Sequence, residues 1–131
     1  MGLLYETFEK PMVRQKGRLI IMLLVNLTPH AIRVRGDGDE FVTIEPSGII
    51  ARASVESSTD RFISINGDAI RLDIESVGDA ENIPEPQDNT LYIVSRVVAA
   101  ASGRKDLIVP GKPVRDSEGK TIGVENLSFI R

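Results

Sequence analysis

The stretch R-F-I-S-I-N-G-D-A-I-R-L-D-I, Arg61–Ile74, decides the fold class. Asn66-Gly67 is the strongest short hairpin signal in the chain, because both residues tolerate the positive φ that a tight two-residue turn requires. Phe62–Ile65 and Ala69–Ile74 on either side are rich in the β-branched and aromatic types that favour strands. An antiparallel hairpin is therefore expected here.

Upstream, the chain continues as short β runs separated by turn residues. Leu23–Asn26 is apolar and ends at Thr28-Pro29. Ala31–Arg35 alternates and passes through Gly36-Asp37-Gly38-Asp39 into Phe41–Ile44. Pro46-Ser47-Gly48 turns the chain into Ile49–Ala53. Downstream, residues 76–90 are acidic and hold Pro84 and Pro86, which cannot donate to a ladder, so a surface loop is expected. Leu91–Val94 reads as a buried central strand. Ser95 as N-cap, the alanines of R-V-V-A-A-A-S and Gly103 past the end predict one short helix. Lys105–Val109, Val114, Thr121–Val124 and Leu127–Ile130 complete the β runs, with Ser117–Lys120 as a turn. The expected class is α+β: a β-rich antiparallel or mixed sheet, barrel-like, with one principal short helix.

Length and composition bound the function. The 131 residues suit one domain, large enough to bury a core without staples. Cysteine is absent, which removes disulfides, thiolate metal sites and a cysteine nucleophile, and fits a reducing cytoplasm. Aromatics are 5%, too few for a base-stacking platform. The net charge of −3 is uneven: residues 36–90 hold three basic and thirteen acidic side chains, residues 91–131 seven and four. No duplex nucleic acid is expected as a partner, while the ends of the chain could attract a small anion. The longest apolar run, Leu19–Val25, is far short of the about 20 residues of a membrane helix and reads as a core strand. Residues 1–21 are expected to be an N-terminal extension to a single domain over 22–131. Met22 opens a natural second beginning; the rival is an ordered extension packed on the sheet.

Eight residues are candidates for a ligand site. His30 is the one histidine, so any acid–base role needs it to act alone or with its mate in an oligomer. In N-L-T-P-H, Thr28 and His30 could present a hydroxyl and an imidazole together, or satisfy local backbone groups. Ser95 and Arg96 stand where a strand enters a helix, with free N–H groups and a bidentate donor suited to phosphate or carboxylate. The plain alternative is a cap and a solvated arginine. Arg104 with Asp106, and Arg115 with Asp116, could take phosphate and ribose hydroxyls, or be surface ion pairs. No catalytic motif is present, no cofactor is implied, and the acidic D-G-D-E turn lacks the spacing of a calcium loop.

L-V-N-L-T-P-H-A-I (Leu24–Ile32), E-P-S-G-I-I-A-R (Glu45–Arg52), I-P-E-P-Q-D-N-T-L-Y-I-V-S (Ile83–Ser95), R-K-D-L-I-V-P-G (Arg104–Gly111) and V-R-D-S-E-G-K-T-I-G (Val114–Gly123) together resemble a compact family of small phage- and prophage-borne proteins. The resemblance covers about residues 22–127 and carries over no catalytic residue. It implies an anti-defence role in the host cytoplasm: a homo-oligomeric sponge that sequesters a cyclic or ADP-ribose-derived nucleotide without cleaving it. Two rivals stand beside that expectation. One is a protein-binding inhibitor of a host enzyme that uses the acidic middle of the chain. The other is a phosphoesterase using His30.

Overall fold

The computed structural model describes the backbone of residues 12–15 and 18–131, and side chains from residue 22 onward. Two short strands, β1 (Met12–Gln15) and β2 (Arg18–Ile21), pair antiparallel with each other. Then come β3 (Leu23–Asn26), β4 (Ile32–Arg35), β5 (Phe41–Ile44), the long β6 (Arg52–Ile65) and β7 (Asp68–Glu81), and β8 (Thr90–Ile93). The helix α1 (Arg96–Ser102) precedes β9 (Leu107–Pro110), β10 (Pro113–Arg115), β11 (Thr121–Val124) and β12 (Leu127–Ser128).

A central sheet in the order β12-β9-β8-β3 holds the molecule together. Its strands β3, β8 and β9 run parallel, and β12 closes it antiparallel. Because successive side chains point to opposite faces, each strand feeds two cores. Leu24, Ile93 and Ile108 point to one face, where they meet Ile32 and Ile44 of a second sheet, β10-β11-β4-β5. Val25, Leu27, Tyr92, Val94, Leu107 and Val109 point to the other face, against Val98 and Ala99 of α1 and the chain around Ile49–Ala53. Burial on both faces explains why these strands read as continuous apolar runs.

The helix forms where the caps direct it. Ser95 Oγ accepts from the Val98 N–H at 3.3 Å, and Gly103 takes the left-handed conformation (φ 69°) while its N–H closes on the Ala99 carbonyl. At Asn66 (φ 53°) and Gly67 (φ 88°) the backbone is likewise left-handed, so the turn expected there forms. It joins β6 and β7 into an antiparallel ribbon of 14 residues per strand. At about 3.4 Å per residue each strand is about 45 Å long, over twice the common length. Only the base, Ala53 and Ala80, packs on the core.

Five expectations need correction. The sheets are open rather than barrel-like: the central sheet packs between two other layers, and among the described residues no ladder joins it to the second sheet. Ser76–Glu81, read as part of a loop, belongs to β7, where pairing with Arg52–Glu56 proceeds through a bulge; only residues 82–89 are loop. Its acidic, non-alternating pattern hid the strand because little of it is buried. Ile49–Ala51 lies outside any strand, and the Ala51 N–H donates to the Leu27 carbonyl at 2.9 Å. Leu19–Val25 is divided at Met22: β2 pairs with β1, whereas β3 pairs with β8. The extension expected over residues 1–21 lies largely outside the described residues. The last strand is shorter than Leu127–Ile130, ending at Ser128.

Candidate functional site

Parallel strands end together. In register, Asn26 of β3 stands beside Ile93 of β8, and Ile93 beside Ile108 of β9. The chain leaves this common edge as Leu27–His30 after β3 and as Val94–Arg96 after β8. Pro46 bridges Asn26 in parallel, and the Ser47 N–H donates to the Asn26 carbonyl at 2.9 Å. Thr28, His30, Ser95 and Arg96 therefore share the carboxyl-terminal edge of the central sheet, on neighbouring strands about 4.8 Å apart.

A buried asparagine shapes this edge. Asn26 is fully enclosed, and its amide donates to the carbonyls of His30 (2.9 Å) and Ile44 (3.0 Å). Its Oδ1 accepts from the Thr28 N–H (2.9 Å) and the Thr28 hydroxyl (2.7 Å), and that hydroxyl also lies 3.0 Å from the His30 carbonyl. All polar atoms of the side chain are thus paired, as burial demands. Thr28 is thereby engaged in the turn, and the N-L-T-P-H segment is pinned to β5. The sequence reading missed Asn26. The available signal was an Asn closing an apolar run two residues before a Thr-Pro turn, since Asn commonly bonds the backbone two residues on.

His30 and Arg96 are exposed, and among the described residues neither side chain makes a hydrogen bond or ion pair. Ser95 is occupied as the cap of α1.

The remaining four candidates lie elsewhere and are held locally. Arg104 and Asp106 precede β9, at the opposite edge from Arg96, because α1 and its cap carry the chain back across the sheet. Arg104 grips Asp106 with both arms (Nε–Oδ1 2.9 Å, Nη2–Oδ2 2.6 Å) and donates to the Pro84 carbonyl at 2.8 Å. Its guanidinium lies 5.6 Å from the Tyr92 ring centre, and the Tyr92 hydroxyl donates to the Glu85 carbonyl at 3.0 Å. This cluster ties the proline-containing loop to the sheet. The hydrogen bonds to Asp106 hold Arg104 above its ordinary pKa, and burial raises that of Tyr92 despite the nearby guanidinium.

Arg115 and Asp116 sit on the β10–β11 hairpin of the second sheet. Arg115 donates to the Gly119 carbonyl (3.2 Å) and Thr121 hydroxyl (3.1 Å). Asp116 Oδ1 accepts from the N–H groups of Glu118 and Lys120, both at 2.9 Å, and so builds the turn. On the same outer face Arg33 and Arg35 flank the Phe41 ring at 4.7 and 5.7 Å, and Arg35 pairs with Glu125 at 2.8 Å.

Among the described residues no three acidic or histidine side chains gather as a metal site needs, and no helix is long and apolar enough to cross a membrane. Compared with family models, curated proteins and solved structures, the chain gives no match.

Proposed function

We propose that this protein binds a small anionic, nucleotide-like ligand at the carboxyl-terminal edge of its parallel strands and sequesters it without cleavage. The observation that carries the reading is the placement of Arg96, His30, Thr28 and Ser95 along that one edge, with the guanidinium and imidazole unpaired among the described residues. In open sheets with parallel strands, ligands characteristically sit beyond the carboxyl ends. Arg96 supplies a planar fork that matches phosphate oxygens. His30 and the Thr28 turn offer the polar wall for ribose or base. Arg104, Asp106, Arg115 and Asp116 serve the scaffold in this reading. A phage-borne anti-defence sponge, acting as a homo-oligomer in the host cytoplasm, is the biological role that the motif resemblance supports.

The test incubates purified protein with a panel of cyclic and ADP-ribose-derived nucleotides, removes free ligand, and releases bound ligand by heat. Retention of one intact nucleotide is expected, weakened about tenfold or more by Arg96→Ala, the loss of one charge-assisted pair. Return of an altered nucleotide that stops with His30→Ala would establish the phosphoesterase instead. No retention at micromolar protein overturns the reading. A single stoichiometric host protein captured in its place points to an inhibitor.

A further inference from the structure

The β6–β7 ribbon has two unlike faces. From the register, Ile65–Asp68, Ile63–Ile70, Arg61–Leu72 and Ser58–Ile74 are cross-strand pairs on one face. Ser64–Ala69, Phe62–Arg71, Thr59–Asp73 and Ser57–Glu75 are pairs on the other. Ile70, Leu72 and Ile74 alternate regularly along β7, while the extra residue at Asp60 shifts the phase of β6, so that Ser58 is the partner of Ile74. The first face thus gathers Ile63, Ile65, Ile70, Leu72 and Ile74, which remain 39–56% exposed. The second mixes Phe62, Ala69 and the Val55–Val77 pair with Ser57, Thr59, Ser64 and Glu75, and carries an Arg71–Asp73 ion pair at 3.0 Å.

Among the described residues nothing covers the aliphatic face. A lone two-stranded ribbon is marginal in water, and an amphipathic sheet face is stable when packed on another. Five half-exposed aliphatic side chains present on the order of 400 Å², a size at which apolar patches mark interaction sites.

We propose that this aliphatic face is a self-association surface, on which a second copy of the chain packs face to face about a two-fold axis at the Ile63–Ile70 pair. Such an axis demands a surface that complements itself, and the register supplies one. Pairs equidistant from Ile63–Ile70 are Ile65–Asp68 toward the tip and Arg61–Leu72 toward the base. The two-fold sets one pair against the other, twice, so aliphatic side chains meet and each Asp68 carboxylate has the partner's Arg61 diagonally opposite. Arg61 is free to reach, since it uses only Nε on neighbouring Asp60 and its side chain is 69% exposed. The second face would have to bury its ion pair, and the bulges along the ribbon disfavour edge-to-edge addition. An anionic lipid surface is a poor occupant, because residues 52–81 carry seven carboxylates against three arginines. The face supplies about half of the roughly 800 Å² per partner of a standard interface, so a micromolar dimer is expected. This inference is independent of the ligand reading, because none of Arg61, Ile63, Ile65, Asp68, Ile70, Leu72 and Ile74 belongs to the residues invoked there.

Sedimentation equilibrium of the full chain tests it. A monomer–dimer equilibrium is expected, weakened about 100-fold or more by Ile70→Asp, which buries a charge in each copy. Far-UV circular dichroism and amide dispersion of that variant should match the parent, since Ile70 touches no core. Arg61→Asp and Asp68→Arg should each weaken the dimer by about three- to tenfold, and the double reversal should restore it. A chain that stays monomeric at several hundred micromolar overturns the proposal. So does a dimer indifferent to Ile70→Asp, or a double reversal that fails to restore it. Binding to zwitterionic vesicles without dimerisation also overturns it.

Discussion

The central sheet and the β6–β7 ribbon are built from the same aliphatic residues and treat them in opposite ways. In the sheet, Val94, Ile93 and Val109 are fully buried, because parallel strands are covered on both faces. In the ribbon, Ile63, Ile65, Ile70 and Leu72 stay open, because among the described residues no second layer packs on that face. Strand propensity is common to both regions. Coverage is the difference, and it divides the molecule into a buried platform and an exposed arm.

The sharpest way to break that comparison is a pair of truncations. Ile93→Ala should cost about 2–5 kcal/mol in urea unfolding, through lost burial and a cavity between the sheets. Ile63→Ala, measured at dilute protein where any dimer dissociates, should change stability by about 0.5 kcal/mol or less. Equal costs would show the arm to be part of the same core.

A buried polar contact comes next in size. Asn26→Ala leaves the His30 and Ile44 carbonyls without their donor, and a loss of about 1–3 kcal/mol is expected. If the platform edge is the ligand site, the variant should also weaken ligand retention while Arg104→Ala does not. Equal weakening by the two variants would undo the assignment of edges.

A smaller effect separates the loop lock from the rest. The pKa of Tyr92 is raised in the fold, so its contribution is complete below the ordinary phenol value of 10.0 and disappears as pH climbs through the folded value. Stability should therefore fall above about pH 10, with a shallower slope in Tyr92→Phe. Identical slopes would remove Tyr92 from the linkage. Arg104 is raised as well, which places its own loss at still higher pH and leaves neutral stability flat with respect to it.

The hairpin turn, the helix with both caps, and the strands Leu23–Asn26, Phe41–Ile44 and Thr121–Val124 were legible, because turn chemistry, capping and apolar runs are local signals. The length of β6 and β7 was not: Arg52–Glu56 and Ser76–Glu81 lack alternation, since neither face there is buried enough to select for it. Of the candidate site, the pairing of Arg104 with Asp106 was legible as an ion pair, and its tie to the Pro84 carbonyl, 20 residues away, was not. Asn26 was overlooked because its partners, His30 and Ile44, are supplied by a turn and a strand that only folding brings beside it.

The sequence by itself determined a β-rich chain with one capped helix, a tight Asn-Gly hairpin, and no cysteine chemistry, all consequences of backbone sterics and composition. Only the tertiary structure decided that β3, β8 and β9 run parallel, which puts Thr28, His30, Ser95 and Arg96 at one edge and Arg104 at the other. Only it decided that the Arg61–Ile74 hairpin is an arm with one aliphatic face. The physical reason is the same in both cases: propensity is local, whereas strand direction and coverage depend on which distant segment supplies the next strand or layer.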